Sequence, residues 1–290
     1  MQQPRVKCGQ NSITDATWFA YEVCMSPLSN QIAIITGASH PKGMGFAIAK
    51  KLLDQGASVV VTDLPHAMDD LQARVVELES QGGRALAYAV DVTRSEDIQA
   101  CVQEALSTFG RIDILVNNAG IGGGSSDFLD VSAKDFELAF NINVLGVAQL
   151  CQAVIPTMLK QESGVIVNVA SLCGLGAIPD IPASYTASKF AAVGLAKAIS
   201  LSYADKGIRC NTVCPGVVNT QMRDQLLERL AEQYDISIEE AERMENETIA
   251  MKRGAEPEEI AEAVSYLAGP SAKYITGVAL PVAGGMAAGL

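Results

Sequence analysis

Apolar and polar positions follow two rhythms along this chain, and the rhythms take turns. Short, nearly continuous apolar runs cover residues 31–36, 57–62, 85–90, 112–116, 165–170 and 208–213. Between them, apolar residues recur at helical spacing over 44–55, 68–80, 93–109, 133–160 and 183–204. In residues 68–80, for example, Leu71, Val75 and Leu78 share one face. Strands without polar alternation are covered on both faces. Strand and helix in regular succession require crossover connections, hence a parallel sheet with helices on either side. The pattern predicts one α/β domain built on a doubly wound parallel sheet.

Boundary residues sharpen this outline. Thr93-Arg94-Ser95-Glu96 has the form of a capping box opening the third helix. Pro257 is placed to start a last core helix and Gly269 to stop it. Residues 221–252 read as an insertion of two helices, the second opened by Ser237-Ile238-Glu239-Glu240. Met222, Leu226, Leu227 and Leu230 recur there at helical spacing. That face would cover a site as a small helical lid, or pack on the core. Residues 1–30 mix Arg5, Lys7, Asp15 and Glu22 with Trp18, Phe19 and Tyr21. They read as a leader without the apolar stretch of a secretory signal, preceding a domain over 31–290.

Composition narrows the class. Of 290 residues, 49% are apolar, ample for one continuous core, and no run approaches the ~18 apolar residues of a membrane helix. The net charge of −12 argues against nucleic acid or an anionic membrane as partner. The acidic stretch from Asp224 to Glu262 reads as a solvated helical face, or as a contact site for a basic partner. The 7 cysteines form no Cys-x-x-Cys pair and mostly sit in apolar segments, as expected of reduced thiols in a cytoplasmic protein. With only His40 and His66, both in loops, neither a metal site nor a histidine-based triad is expected.

The candidate chemistry lies at strand ends. Thr36-Gly37 and Gly43-Met44-Gly45 link the first strand to the first helix. Glycines there let the backbone approach a pyrophosphate, which the helix N-terminus attracts. Lys42 reads as an exposed loop lysine. Asp63 ends the second strand, where a carboxylate bonds ribose hydroxyls and repels a 2′-phosphate; with no arginine just after it, NAD is expected. Asp91-Val92 ends the third strand, beside adenine. Asn117-Asn118-Ala119-Gly120 ends the fourth, with small residues that admit a ligand. Ser171 follows the fifth strand, and Tyr185 and Lys189 stand one helical turn apart in Tyr185-Thr186-Ala187-Ser188-Lys189.

These residues, with Cys214-Pro215-Gly216-Val217-Val218-Asn219-Thr220, resemble the short-chain dehydrogenase/reductase family in its compact single-domain branch, over residues 31–285. The resemblance implies a Rossmann-type fold and a homotetramer or dimer built through the long helices. It implies Tyr185 as general acid/base, Lys189 bonding the nicotinamide ribose and keeping the phenol acidic, and Ser171 bonding the substrate oxygen. Asn143 matches the asparagine that anchors a proton-relay water, with Asn141 a nearby competitor. Val218 and Thr220 match the positions holding the nicotinamide carboxamide. Two departures stand out. More residues, Ala38 to Lys42, separate the first two glycines than the family commonly has, and Ala283 replaces its common aspartate.

The implied chemistry is hydride transfer between NAD and a small to medium secondary alcohol or ketone. A tyrosine of pKa about 10 needs about 4 kcal/mol of phenolate stabilisation to act near neutrality. One cation some 4 Å away supplies about that much at an effective dielectric near 20. Two other readings use the same residues. One is an isomerase, epimerase or dehydratase that keeps NAD bound; the other is a non-catalytic nucleotide-binding protein. Ile178, Pro179, Ile181 and Pro182 would line an apolar pocket.

Overall fold

The apolar runs become strands, the inner ones hidden on both faces, and here they assemble into one sheet. The computed structural model describes residues 26–287. The strands are β1 (Ile32–Thr36), β2 (Ser58–Asp63), β3 (Ala85–Ala89), β4 (Ile114–Asn117), β5 (Gly164–Val169), β6 (Ile208–Pro215) and β7 (Ala279–Val282). Their order is β3-β2-β1-β4-β5-β6-β7, with every adjacent pair parallel. Chain growth reverses direction between β1 and β4. Loops at the C-terminal ends of those two strands diverge and leave the crevice where such sheets bind ligands.

The helices are α1 (Met44–Asp54), α2 (Met68–Ser80), α3 (Ser95–Phe109), α4 (Ala133–Phe140), α5 (Val147–Gln161), α6 (Ala183–Tyr203), α7 (Gln221–Tyr234), α8 (Ile238–Glu247) and α9 (Pro257–Ala268). Side-chain parity along the strands sorts the core into two layers. Ile35, Val59, Val61, Val116 and Val213 pack under α1, α2 and α9. Ile34, Val60, Leu115, Ile166 and Cys210 pack under α3, α5 and α6. This is the single doubly wound domain that the apolar rhythm predicts. The segment Ala133–Gln161 is apolar and long enough to cross a membrane by composition alone, but half of that stretch is buried inside the protein.

Four local readings change. The capping box expected at Thr93 does not form. Asp91, a charged acceptor, takes both the Thr93 N–H (2.9 Å) and its hydroxyl (2.7 Å), and α3 starts after Arg94 with no side-chain cap. The long helix expected over 133–160 is interrupted by a π-helical turn, Asn141–Gly146, between α4 and α5. Leu28, inside the stretch read as leader, is fully buried, and its N–H donates to Gln55 O at 2.9 Å. The leader reading for residues 1–25 falls outside the described residues. In the lid, Leu227, Ala231 and Ala241 join α7 to α8, with Leu230 and Ile236 at the edge, while Met222 stays half exposed. The apolar spacing there mainly holds the two lid helices together.

Candidate active site

The glycine loop is built by close backbone approach. Gly37 adopts φ 71°, and a Cβ on it would meet Ala119 Cα at 3.0 Å. A Cβ on Gly45 would collide with Gly37 O and come within 2.7 Å of Asn118 Nδ2. Gly43 is the N-cap of α1 and Met44 its first residue; no side chain caps that end and no acid stands in its first turn. Asn118 braces the loop from β4, its Nδ2 donating to Thr36 O (2.9 Å) and Gly37 O (3.0 Å). Its Oδ1 is buried and unpartnered. Thr36 Oγ1 accepts from Asn118 N (3.1 Å) and Ala119 N (2.9 Å), fastening the ends of β1 and β4 together.

In the lengthened part of the loop, Ser39 N donates to Asp63 Oδ2 at 3.0 Å, and Leu64 N to Oδ1 at 2.8 Å. The carboxylate is thus oriented at the edge of the crevice, with lone pairs to spare on each oxygen. An uncapped helix N-terminus, a glycine cradle that a Cβ would fill and an oriented carboxylate fit a dinucleotide. Asp91 Oδ1 accepts from Thr93 N and Oγ1 just past the end of β3. Val92 is buried against the π-turn, where a Cβ on Gly146 would meet its carbonyl oxygen at 2.9 Å.

Ser171, Tyr185 and Lys189 come together from β5 and α6. Ser171 leaves β5 as the N-cap of a short turn, Leu172–Gly174, and its Oγ accepts from Cys173 N at 3.1 Å. Lys189 is buried, its Nζ donating to Val169 O at 3.4 Å and lying 5.5 Å from the centroid of the Tyr185 ring. Gly120 closes the group: a Cβ there would stand 3.2 Å from Lys189 Nζ and 3.0 Å from Asn143 Oδ1. Asn143 sits in the π-turn, a distortion frequent at functional sites. Its Oδ1 accepts from Ile121 N (3.0 Å), and its Nδ2 donates to Ile121 O (3.0 Å) and Ser188 Oγ (3.0 Å). The side chain therefore clamps the loop after β4 to α6. Asn141, the competing asparagine, starts the same turn.

Val218 pairs in parallel with Ala255, and Thr220, the N-cap of α7, donates its N–H to Val218 O at 2.8 Å. Both lie just past the C-terminal end of β6. Three residues without an assigned part in the sequence reading also belong here. Ser188 relays Asn143 to the Tyr185 carbonyl, its Oγ donating at 2.7 Å. Thr36 ties the two strands of the crevice. Asn168 accepts from Asn117 Nδ2 at 2.9 Å, joining β4 to β5, the strand that leads into Ser171. Ser188 was discernible inside the Tyr-x-x-x-Lys window; the Asn117–Asn168 pair carries no sequence signal.

Electrostatics departs from the sequence expectation. Burial pushes the Tyr185 phenol up to about 12, opposed by its hydrogen bond with Ser171. Burial also lowers Lys189, to about 8. Lys189 does not by itself make the phenol acidic, because desolvation penalises both charged forms. Cys173 and Cys214, also close to this group, are held protonated by burial, Cys214 at about 11. The five cysteines Cys101, Cys151, Cys173, Cys210 and Cys214 are free and buried; Cys8 and Cys24 lie outside the described residues.

A Rossmann-type sheet with this crevice and this Ser, Tyr and Lys grouping fits a nicotinamide-nucleotide oxidoreductase. The family model described as enoyl-(acyl carrier protein) reductase matches residues 37–287, and the chain belongs to the short-chain dehydrogenase/reductase family. Oxidoreductase UcpA of Salmonella typhimurium is 37% identical over 262 residues, covering 90% of this chain and 96% of its own. Among solved structures, NAD+-bound xylitol dehydrogenase superposes with a TM-score of 0.82 at 29% identity, over 89% of this chain and 99% of its own. A single-substitution variant of actinorhodin polyketide ketoreductase with NADPH gives 0.83 at 34% identity, over 88% and 97%. The family binds a nicotinamide nucleotide, and these two neighbours hold different ones.

Proposed function

We propose that this oxidoreductase transfers a hydride between NAD(H) and a small to medium secondary alcohol or ketone. Tyr185 is the general acid/base, Ser171 orients the substrate oxygen, and Lys189 supplies positive charge beside the phenol. The observation that carries the reading is the convergence of Ser171, from the end of β5, with Tyr185 and the buried Lys189, from one face of α6. They meet at the C-terminal edge of the sheet, beside Gly120. Asp63, already oriented by the Ser39 and Leu64 amides, supports NAD over NADP.

When bound, the oxidised nicotinamide supplies the hydride acceptor and a second positive charge. For reduction, Tyr185 is ready as it stands, because a phenol at about 12 is protonated and donates to the developing alkoxide. For oxidation it must first ionise, and bringing the phenol from about 12 to 7 takes about 7 kcal/mol. Lys189 and the Ser171 hydrogen bond are already part of the surroundings that leave the phenol there, and burial outweighs them. Neither Lys189 nor the Ser171 hydrogen bond closes that gap, so ionisation belongs to the loaded enzyme. Ser171 holds the reacting oxygen near the phenol, which turns proton transfer into a positioned event.

The test is a panel of secondary alcohols and ketones assayed with NAD(H) and NADP(H), following the absorbance of reduced nicotinamide. Turnover with NAD(H), lost in Tyr185→Phe, is expected. An isomerised product without net nicotinamide reduction, or no turnover with either nucleotide, would sink the assignment.

A further inference from the structure

Arg223 occupies the first turn of α7, where a cation opposes the helix dipole and does nothing for the helix itself. It is nonetheless only 8% exposed, and its whole guanidinium fork is engaged. Nε donates to Glu245 Oε2 at 2.7 Å, Nη1 to Glu242 Oε1 at 3.0 Å, and Nη2 to Asn246 Oδ1 at 3.1 Å, all three acceptors on α8. Nη1 also donates to Asn219 Oδ1 at 2.6 Å. Asn219 stands between Val218 and Thr220, the strip assigned to the nicotinamide end of the dinucleotide.

Asn219 is itself locked to the core. Its N–H donates to Ala255 O at 2.8 Å, and its Nδ2 to Glu256 Oε1 at 2.6 Å. Glu256 is the N-cap of α9, a helix packed on α1 and the sheet. Gly254 presses so closely on Asn219 Oδ1 that any Cβ there would collide with it. One continuous chain of hydrogen bonds thus runs from α9 through Asn219 and Arg223 to α8. The other fastening between the lid helices is the apolar group of Leu227, Ala231 and Ala241.

We propose that Arg223 is a positioning residue that couples the α7–α8 lid to the Val218–Thr220 strip, so that lid placement and dinucleotide affinity are set together. The inference rests on the nicotinamide role proposed for that strip. A planar five-donor fork suits the task, since it holds two carboxylates and two amides at once. A lysine, with three donors on a point charge, cannot hold all four in the same geometry.

The experiment uses the full chain and titrates NADH and NADPH calorimetrically into wild type, Arg223→Met, Arg223→Lys and Glu242→Gln. Limited proteolysis of the α7–α8 junction is run with and without nucleotide. Arg223→Met is expected to raise the Kd for the preferred nucleotide about tenfold and to abolish nucleotide protection of the junction. Arg223→Lys should recover part of both effects. At saturating nucleotide kcat should fall far less than kcat/KM, as for lost uniform binding. A purely structural arginine would lower the melting temperature and leave Kd and protection unchanged, which overturns the proposal. Should Arg223→Met fail to fold, wild-type affinity in both Arg223→Lys and Glu242→Gln overturns it equally. A wild type that binds neither nucleotide overturns the proposed function first, and this coupling with it.

Discussion

The Lys189 ammonium stands 5.5 Å from the centroid of the Tyr185 ring, and one cause, burial, drives the two groups in opposite directions, the phenol up to about 12 and the amine down to about 8. Without bound nucleotide, the pair rests as a protonated phenol beside an amine that loses its charge in mild alkali. Phenolate chemistry is therefore conditional on what joins it.

A difference titration makes this visible. Near-ultraviolet absorbance of wild type minus Tyr185→Phe should show no phenolate signal below pH 10 in ligand-free protein, since the group sits near 12 against an ordinary value of 10. Adding oxidised nucleotide should bring the signal down by more than two pH units, on the order of the 3 kcal/mol that a second cation supplies. Turnover of Tyr185→Phe should fall about 10²–10⁴-fold, the usual share of general acid/base catalysis. A phenolate already present at pH 8 without nucleotide would contradict the account.

Lys189→Met should stabilise the ligand-free protein while removing activity. The unfolded lysine keeps its proton up to about 10.5, whereas the folded one releases it near 8. Between those values the unfolded state binds more protons, so wild-type stability rises with pH across that window. Below pH 8 the charged, buried amine costs about 3 kcal/mol, which methionine avoids. Chemical denaturation at pH 7 should favour the variant by up to that amount, and the difference should vanish by pH 10.5. Tyr185 contributes oppositely above pH 10, its folded pKa being raised.

Gly45→Ala should destabilise despite its place in a helix. Alanine ordinarily gains about 1 kcal/mol over glycine in a helix interior. Here its Cβ would collide with Gly37 O and approach Asn118 Nδ2 at 2.7 Å, backbone and brace that cannot both yield. A lower melting temperature, together with lost nucleotide binding by calorimetry, is the expected result. Unchanged binding would show that the cradle holds no pyrophosphate.

Asp63→Ala should shift the nucleotide preference. The carboxylate is held by Ser39 N at 3.0 Å and Leu64 N at 2.8 Å, at the edge of the crevice. Removing it removes the repulsion of a 2′-phosphate, and the NAD:NADP ratio of kcat/KM should fall about tenfold. A ratio that does not move would take Asp63 out of nucleotide selection.

Much of the site was legible because its parts are local. Tyr185 and Lys189 share a helix face by spacing alone, and Gly37, Gly43 and Gly45 stand where a strand meets a helix. Local reasoning failed where another element competed. Thr93 has the form of a cap, but Asp91 takes the N–H that a capping Glu96 would need, and the helix starts one residue later, after Arg94. The stretch around Asn143 has helical spacing throughout, and only the packing of Gly146 against Val92 shows where the helix widens into a π-turn. Arg223 carries no signal in the linear pattern; its burial follows from its contacts with Glu242, Glu245 and Asn246 of α8.

By itself, the sequence determined the succession of strands and helices, the parallel sheet, and the placing of Tyr185 one turn from Lys189 and of the glycine loop between β1 and α1, because spacing and turn chemistry act over a few neighbours. The tertiary structure alone decided the protonation of Tyr185 and Lys189, the pairing of Asn117 with Asn168, and the fastening of the lid through Arg223. Desolvation and long-range hydrogen bonds depend on what surrounds a group in space, and no linear pattern encodes that directly.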